Sequence, residues 1–207
     1  MSNEDRDFSP LVGHDASAAI RGFFYQINVT ILRWLELPAG HHLELEAGED
    51  VDVVRDILMS DDQRYRELEQ IKDLKTHVTI RSPEVLAPLA RFLAHQRSNP
   101  GFHLEFRYLT TASAGRERPS DCGEPLITYW SELRKNNRPQ ESICFRQLRA
   151  ILADAPHPDG VTEGDWQAFS SFFSSASDEL VAAFIHNVRW DLEQSDSAGL
   201  RSNYSGP

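Results

Sequence analysis

Between Asp15 and Leu37 the apolar residues Ile20, Phe23, Ile27, Ile31 and Trp34 fall at steps of three and four. That spacing marks one face of an α-helix. Asp15 or Ser17 can cap its start, and Pro38 and Gly40 stop it, so the pattern predicts an amphipathic helix over Ser17–Leu37. Gln26 lies off the centre line of the stripe.

The period then shortens. HLELEA (His42–Ala47), DVDVVRDIL (Asp50–Leu58) and RYRELEQIK (Arg64–Lys72) alternate polar and apolar residues as strands do, and the polar MSDDQ between the last two predicts an antiparallel hairpin. A helix follows, with Ser82 as its cap, Pro83 in its first position, Glu84 in its first turn, and Val85, Leu86, Leu89, Phe92 and Leu93 as its apolar face. After SNPG, HLEFRYLTT (His103–Thr111) reads as a buried strand. Helix, three strands, helix, strand is the order of an α/β domain with a mixed sheet.

Beyond the loop Gly115–Gly123 the pattern is helical: Pro125–Asn136, Ser142–Ala153, a region around Trp166, Phe169, Phe172 and Phe173, and DELVAAFIHNVRW after Ser174–Ser177. The expected organisation is a lead over 1–14, an α/β core over 15–124, a helical appendage over 125–192 and a flexible tail over 193–207.

Composition narrows the classes. Forty per cent apolar and 26% charged residues are ordinary for a globular chain. The N-terminus lacks the basic and apolar regions of a signal peptide, and no apolar run approaches the ~20 residues of a membrane span. Cys122 and Cys144 stand without a CxxC or paired-His spacing and read as reduced thiols. A soluble, cytoplasmic protein with no membrane partner is expected. The adjacent His41 and His42 offer a zinc site at most as an alternative to plain strand residues. Net charge is −11 overall but −6 over 1–100, +2 over 101–149 and −7 over 150–207, so a polyanion surface must be local if it exists.

The charged residues of the hairpin raise a chemical question, because Asp and Lys are poor strand formers. Asp50 and Asp52 share one strand face, and Gln70 and Lys72 share a face of the next strand. In a suitable register the four meet. Asp50, the side-chain oxygen of Gln70 and the backbone carbonyl of Ile71 could then hold a hard cation such as Mg²⁺, which takes oxygen ligands. Lys72 could orient an attacking water and offset charge on a phosphoryl group. The alternative is a cross-strand salt bridge on a solvated sheet face, worth under about 1 kcal/mol.

AAIRGFFYQINVTILRWL, LELEAGEDVDVV, LEQIKDL and FRYLTTA, taken together, resemble the PD-(D/E)XK nuclease superfamily. More narrowly they resemble the dsDNA endonuclease domain of bacterial anti-phage effectors, the CD-NTase-associated nucleases and relatives fused to STAND ATPases. The resemblance covers roughly Ala16–Ala114, about half the chain. It implies a restriction-endonuclease-like core and a Mg²⁺-dependent (or Mn²⁺-dependent) hydrolase acting on duplex DNA in antiviral defence. Asp50 would be the metal-binding acid, Lys72 the catalytic lysine, and Gln70 would stand where the superfamily more often has Asp or Glu. Gln26, Glu46 and Glu49 would support the site. Asp52 joins them on the strand pattern alone, since the resemblance calls for one acid there.

In that family the domain usually precedes a sensor. The expectation here is a lone effector, a separately encoded sensor or regulatory protein, or part of a longer chain, with the C-terminal helices as a docking surface or as plain packing and a homo-oligomer as one active form. Lys75, Arg81, Arg107, Arg116 and Arg118 are candidate contacts to DNA phosphates, as are Arg91 near the site and Arg134, Lys135 and Arg138 in the basic stretch. Two rival readings stay open: a catalytically silent DNA-binding module on the same fold, and a protein-interaction module built on the Trp- and Phe-rich helices.

Overall fold

The hairpin determines the sheet. In a computed structural model describing residues 16–45, 49–58, 64–136, 142–196 and 199, strand β1 (His41–Leu45) lies antiparallel to β2 (Val51–Leu58), and β2 lies antiparallel to β3 (Arg64–Lys72). The chain crosses over through helix α2 (Pro83–Ser98) and returns as β4 (Phe102–Thr110), parallel to β3. The result is a mixed sheet ordered β1-β2-β3-β4-β5 and flanked by helices, an α/β fold. The expected lead over 1–14, the MSDDQ turn, Glu46, Arg138 and most of the tail lie outside the described residues.

The fifth strand corrects the all-helical reading of the C-terminal region. After α3 (Leu126–Asn136), α4 (Ile143–Ala153), α5 (Glu163–Ser175) and α6 (Asp178–His186), residues Val188–Asp191 form β5, parallel to β4. Val188 and Trp190 turn one way and Arg189 and Asp191 the other, the alternation that four residues are too few to announce in a sequence. Phe106, Tyr108, Val188 and Trp190 share one hydrophobic cluster with α2 through α6. Trp130 anchors it, its ring edge-on to Trp190 and its indole N–H donating to the Ile185 carbonyl at 3.0 Å. The C-terminal helices are thus built into the main core.

Caps fall where polar residues precede apolar runs. Ser142, Thr162 and Ser177 accept from the amides of Phe145, Asp165 and Leu180 at the starts of α4, α5 and α6. Ser82 precedes α2 as expected, but its hydroxyl accepts from Thr79 instead.

The cysteines are a second correction. Cys122, in the loop before α3, is bonded to Cys144 in the first turn of α4, with the Cα atoms 5.1 Å apart. The α3 excursion brings together two residues 22 apart in sequence. Spacing alone could not show that return. Disulfides persist mainly in oxidising surroundings, so the cysteines do not support a cytoplasmic location. Among the described residues, no helix is long and apolar enough to cross a membrane.

On the opposite face of the sheet lies α1 (Ala16–Leu35). Its apolar stripe does not face the sheet. Tyr25 and Val29 do, against Val51, Ile71 and Leu109, while Arg21 and Arg33 reach Asp73 and Glu69 from the same side. Residues 21, 25, 29 and 33 recur every fourth position, so they share one helix face. The sheet presents buried acids there, and a face carrying two arginines satisfies them where the all-apolar face would leave Glu69 unpaired.

Candidate functional site

Asp50 stands one residue before β2, and the register that pairs Val51 with Glu69 sets it opposite Gln70. One carboxylate oxygen accepts the Ile71 amide at 2.8 Å, and the Gln70 side-chain amide donates to the same oxygen. Asp50 is half-buried and borders a cavity of about 300 Å³ whose other walls are Gln26, Thr30, Phe23, Ile27 and Ile31 of α1 and Leu45. Gln26 therefore reaches the site, off the apolar stripe as its place on the helix requires. Lys72 closes β3 two residues beyond Gln70, half-buried, its ammonium without an ion-pair or hydrogen-bond partner among the described residues.

Behind this group, on the α2 side, lies Arg91, which the sequence pattern offers only as a DNA contact. Arg91 forks onto both oxygens of buried Glu49, at 2.9 and 3.0 Å, and donates to Gln70 Oε1 at 2.7 Å. A guanidinium can only donate, so the Gln70 oxygen must face it and the Gln70 nitrogen must face Asp50. The signal was present as an arginine interrupting the buried run Val85–Ala90 and Phe92–Leu93. Burial pushes the Glu49 carboxyl up from its usual range, and Arg91 counters this.

Asp52 belongs elsewhere. It is fully buried, accepts the Glu49 amide at 3.2 Å and pairs with Arg66 at 3.1 Å, which also bridges to Glu44 at 2.8 Å. Burial raises its carboxyl above the ordinary value. It pins the turn that presents Glu49 and Asp50, and it faces no cavity of the site. This corrects its placement beside Asp50: Asp50 precedes the regular strand, so the pleat does not orient it.

Arg107 is also corrected. Its guanidinium lies between Asp191 and Glu69, with 11% of the side chain exposed, and is spent on those carboxylates instead of a phosphate. Glu69, fully buried, is held by Arg33 at 2.8 Å and Arg107 at 3.3 Å, and burial still pushes its carboxyl up to about 7. Lys75 lines a second cavity of about 590 Å³ with Arg21, Asp73, Leu74, Thr111, Gln194 and Asp196, at the C-terminal ends of β3 and β4. Arg81, Arg116 and Arg118 are exposed, and the loop carrying the last two is fastened by buried Glu117, which accepts the amides of Ile80 and Leu126 at 3.0 Å each.

No family model, curated protein or solved structure matches this chain. The site must be judged on its own atoms. Among the described residues no three His, Cys, Asp or Glu side chains gather as a metal site. His41 and His42 do not converge: one ring nitrogen lies 3.2 Å from the Ala39 carbonyl and the other residue's lies 3.4 Å from Glu44. What converges at the end of β3 is one carboxylate, one amide and a buried acid–guanidinium pair.

The donor chemistry still fits a hard divalent cation. Asp50, Gln70 Oε1 and the Ile71 carbonyl are the oxygen types such an ion takes, and the Glu49–Gln70 side of the site already holds a positive group. The fit carries a condition. Gln70 can turn its oxygen toward Asp50 only by leaving Arg91.

Proposed function

We propose that this chain is a metal-dependent endonuclease hydrolysing phosphodiester bonds of duplex DNA, with a core of restriction-endonuclease type and a place in antiviral defence. The observation that carries the reading is the contact of Asp50 with Gln70, two residues before Lys72, with Asp50 bordering an open cavity. The motif resemblance over residues 16–114 supplies the reaction class.

Asp50, Gln70 Oε1 and the Ile71 carbonyl would hold Mg²⁺ or Mn²⁺. Such an ion acidifies bound water and polarises a phosphoryl oxygen. Lys72 would offset the charge that develops on the phosphoryl group. Arg91, paired with Glu49, competes with the cation for Gln70 Oε1, and Gln26 faces the site from α1. Exposed Arg81, Arg116 and Arg118, with Lys75, are the groups left to meet the DNA backbone.

A second reading, a silent DNA-binding module, draws on the Arg91 contact that occupies Gln70 Oε1. One experiment separates the two. Supercoiled plasmid incubated with protein and Mg²⁺ or Mn²⁺ is nicked or linearised by the wild type, and Lys72→Ala is inactive while binding the plasmid. Equal cleavage by Lys72→Ala removes the assignment. Binding without cleavage, indifferent to chelator, favours the silent module.

A further inference from the structure

The outward face of α1 is apolar along its length. Ile20, Phe24, Ile31 and Trp34 are 55, 52, 46 and 67% exposed, and Phe23 and Leu35 flank them with more than half their surface free. With Ile27 the set reads 20, 24, 27, 31, 34, alternating steps of four and three. That is the seam of two helices wound together. The face toward the sheet uses a different stripe, so the seam is not needed for the fold of one chain.

We propose that this face binds the same face of a second copy, giving a two-fold dimer with α1 against α1. Three observations choose that occupant. The alternating spacing suits a helix as partner, whereas a flat sheet or irregular segment would not require it. The only charged residues of α1 are Arg21 and Arg33, and both are spent on Asp73 and Glu69 toward the sheet. A face meant for phosphate or lipid headgroups would carry outward Lys or Arg. The area is also right. At on the order of 100 Å² for each half-exposed large side chain, the face offers roughly 700 Å², near the ~800 Å² per partner of a stable interface and above the usual patch on a monomer.

A partner helix so placed runs beside the mouth of the cavity that Phe23, Ile27, Ile31 and Leu45 share with Gln26 and Asp50. The interface itself does not depend on the nuclease reading, and its test measures association alone.

Sedimentation of the full chain across the micromolar range is expected to show a monomer–dimer equilibrium. Phe24→Asp and Ile31→Asp, each verified as folded by circular dichroism and thermal melting, weaken it at least tenfold. Ile143→Asp, an exposed apolar site away from α1, leaves it unchanged. Trp34 supplies a second readout, because Trp130, Trp166 and Trp190 are buried and a concentration-dependent blue shift must come from it. Trp34→Phe abolishes that shift. The proposal is overturned by a monomer at every concentration, whether Trp34 is then free to a quencher, shielded by another part of the chain, or shielded only by added vesicles. A dimer that survives Phe24→Asp and Ile31→Asp, or one lost in Ile143→Asp, overturns it equally.

Discussion

Asp50 and Asp52 lie two residues apart and should fail in opposite ways. Asp52→Ala removes two hydrogen bonds to a buried carboxylate, from the Glu49 amide and from Arg66. Breaking a buried ion pair costs about 3–5 kcal/mol. Arg66 keeps Glu44 and is partly exposed, which places this case near the lower bound, about 3 kcal/mol. At roughly 2–4 °C per kcal/mol for a chain of this size, the midpoint falls by roughly 6–12 °C. Asp50→Ala removes a half-buried acceptor from the Ile71 amide and frees Gln70, a cost of about 1 kcal/mol. Calorimetry and plasmid cleavage, run on both variants well below their midpoints, give the comparison. Asp52→Ala melts early and still cuts; Asp50→Ala melts near the wild type and does not cut. A stable but inactive Asp52→Ala would make Asp52 a ligand and undo the site as drawn. An active Asp50→Ala would remove its centre.

Arg91→Ala should tighten Mn²⁺ binding roughly tenfold, about 1.4 kcal/mol, because Gln70 is released and a competing positive charge is gone; titration by thermal shift measures it, and weaker binding would show that Arg91 holds the ligands in place. Stability should fall as pH rises from about 5 to about 8. Burial raises Glu69 to about 7 and raises Glu49, Asp52 and Glu67 in the same direction, so the folded state holds protons that the unfolded chain has already lost. The Glu69 contribution is complete below its unfolded value near 4.5 and disappears through about 7. Melting across that window should flatten in Glu69→Gln, and an unchanged slope in that variant would mean Arg33 and Arg107 keep Glu69 charged throughout.

Local periodicity carried most of the elements. The strands of the hairpin, α2 with Pro83 at its start, and β4 depend on neighbours in sequence, and their spacing showed them. β5 did not, because four residues of strand are recognisable only by the β4 edge they complete. The disulfide likewise depends on where α3 and α4 return. At the site, the Asp50–Gln70 meeting was legible as a consequence of one hairpin register. Arg91 was not, since nothing in the spacing of a helix tells which sheet residue its one polar interruption will meet. Asp52 was misread for a related reason: alternation describes residues inside a strand, and Asp50 sits just before one.

The direction taken by α1 follows from the same limit on sequence reading. Hydrophobic spacing ranks the faces of a helix by their apolar content, and by that measure Ile20, Phe24, Ile31 and Trp34 belong inside. The sheet, however, offers α1 a surface where Glu69 is fully buried and Asp73 nearly so. Turning the stripe inward would put four large apolar side chains in place of Tyr25 and Val29, a net gain of two or about 3–6 kcal/mol, but would leave two carboxylates unpaired at about 3–5 kcal/mol each. The two-arginine face therefore wins the contact, and Tyr25 and Val29 supply the apolar filling between the ion pairs. A helix seated through charges leaves its hydrophobic stripe unspent, and that stripe then has free energy to contribute only to association. The acids beneath α1 and the apolar face above it are one feature of the fold, so Glu69→Leu combined with Arg33→Leu removes part of the reason for that orientation and should weaken the dimer in sedimentation; an unchanged dimer would mean the charges do not set the face of α1.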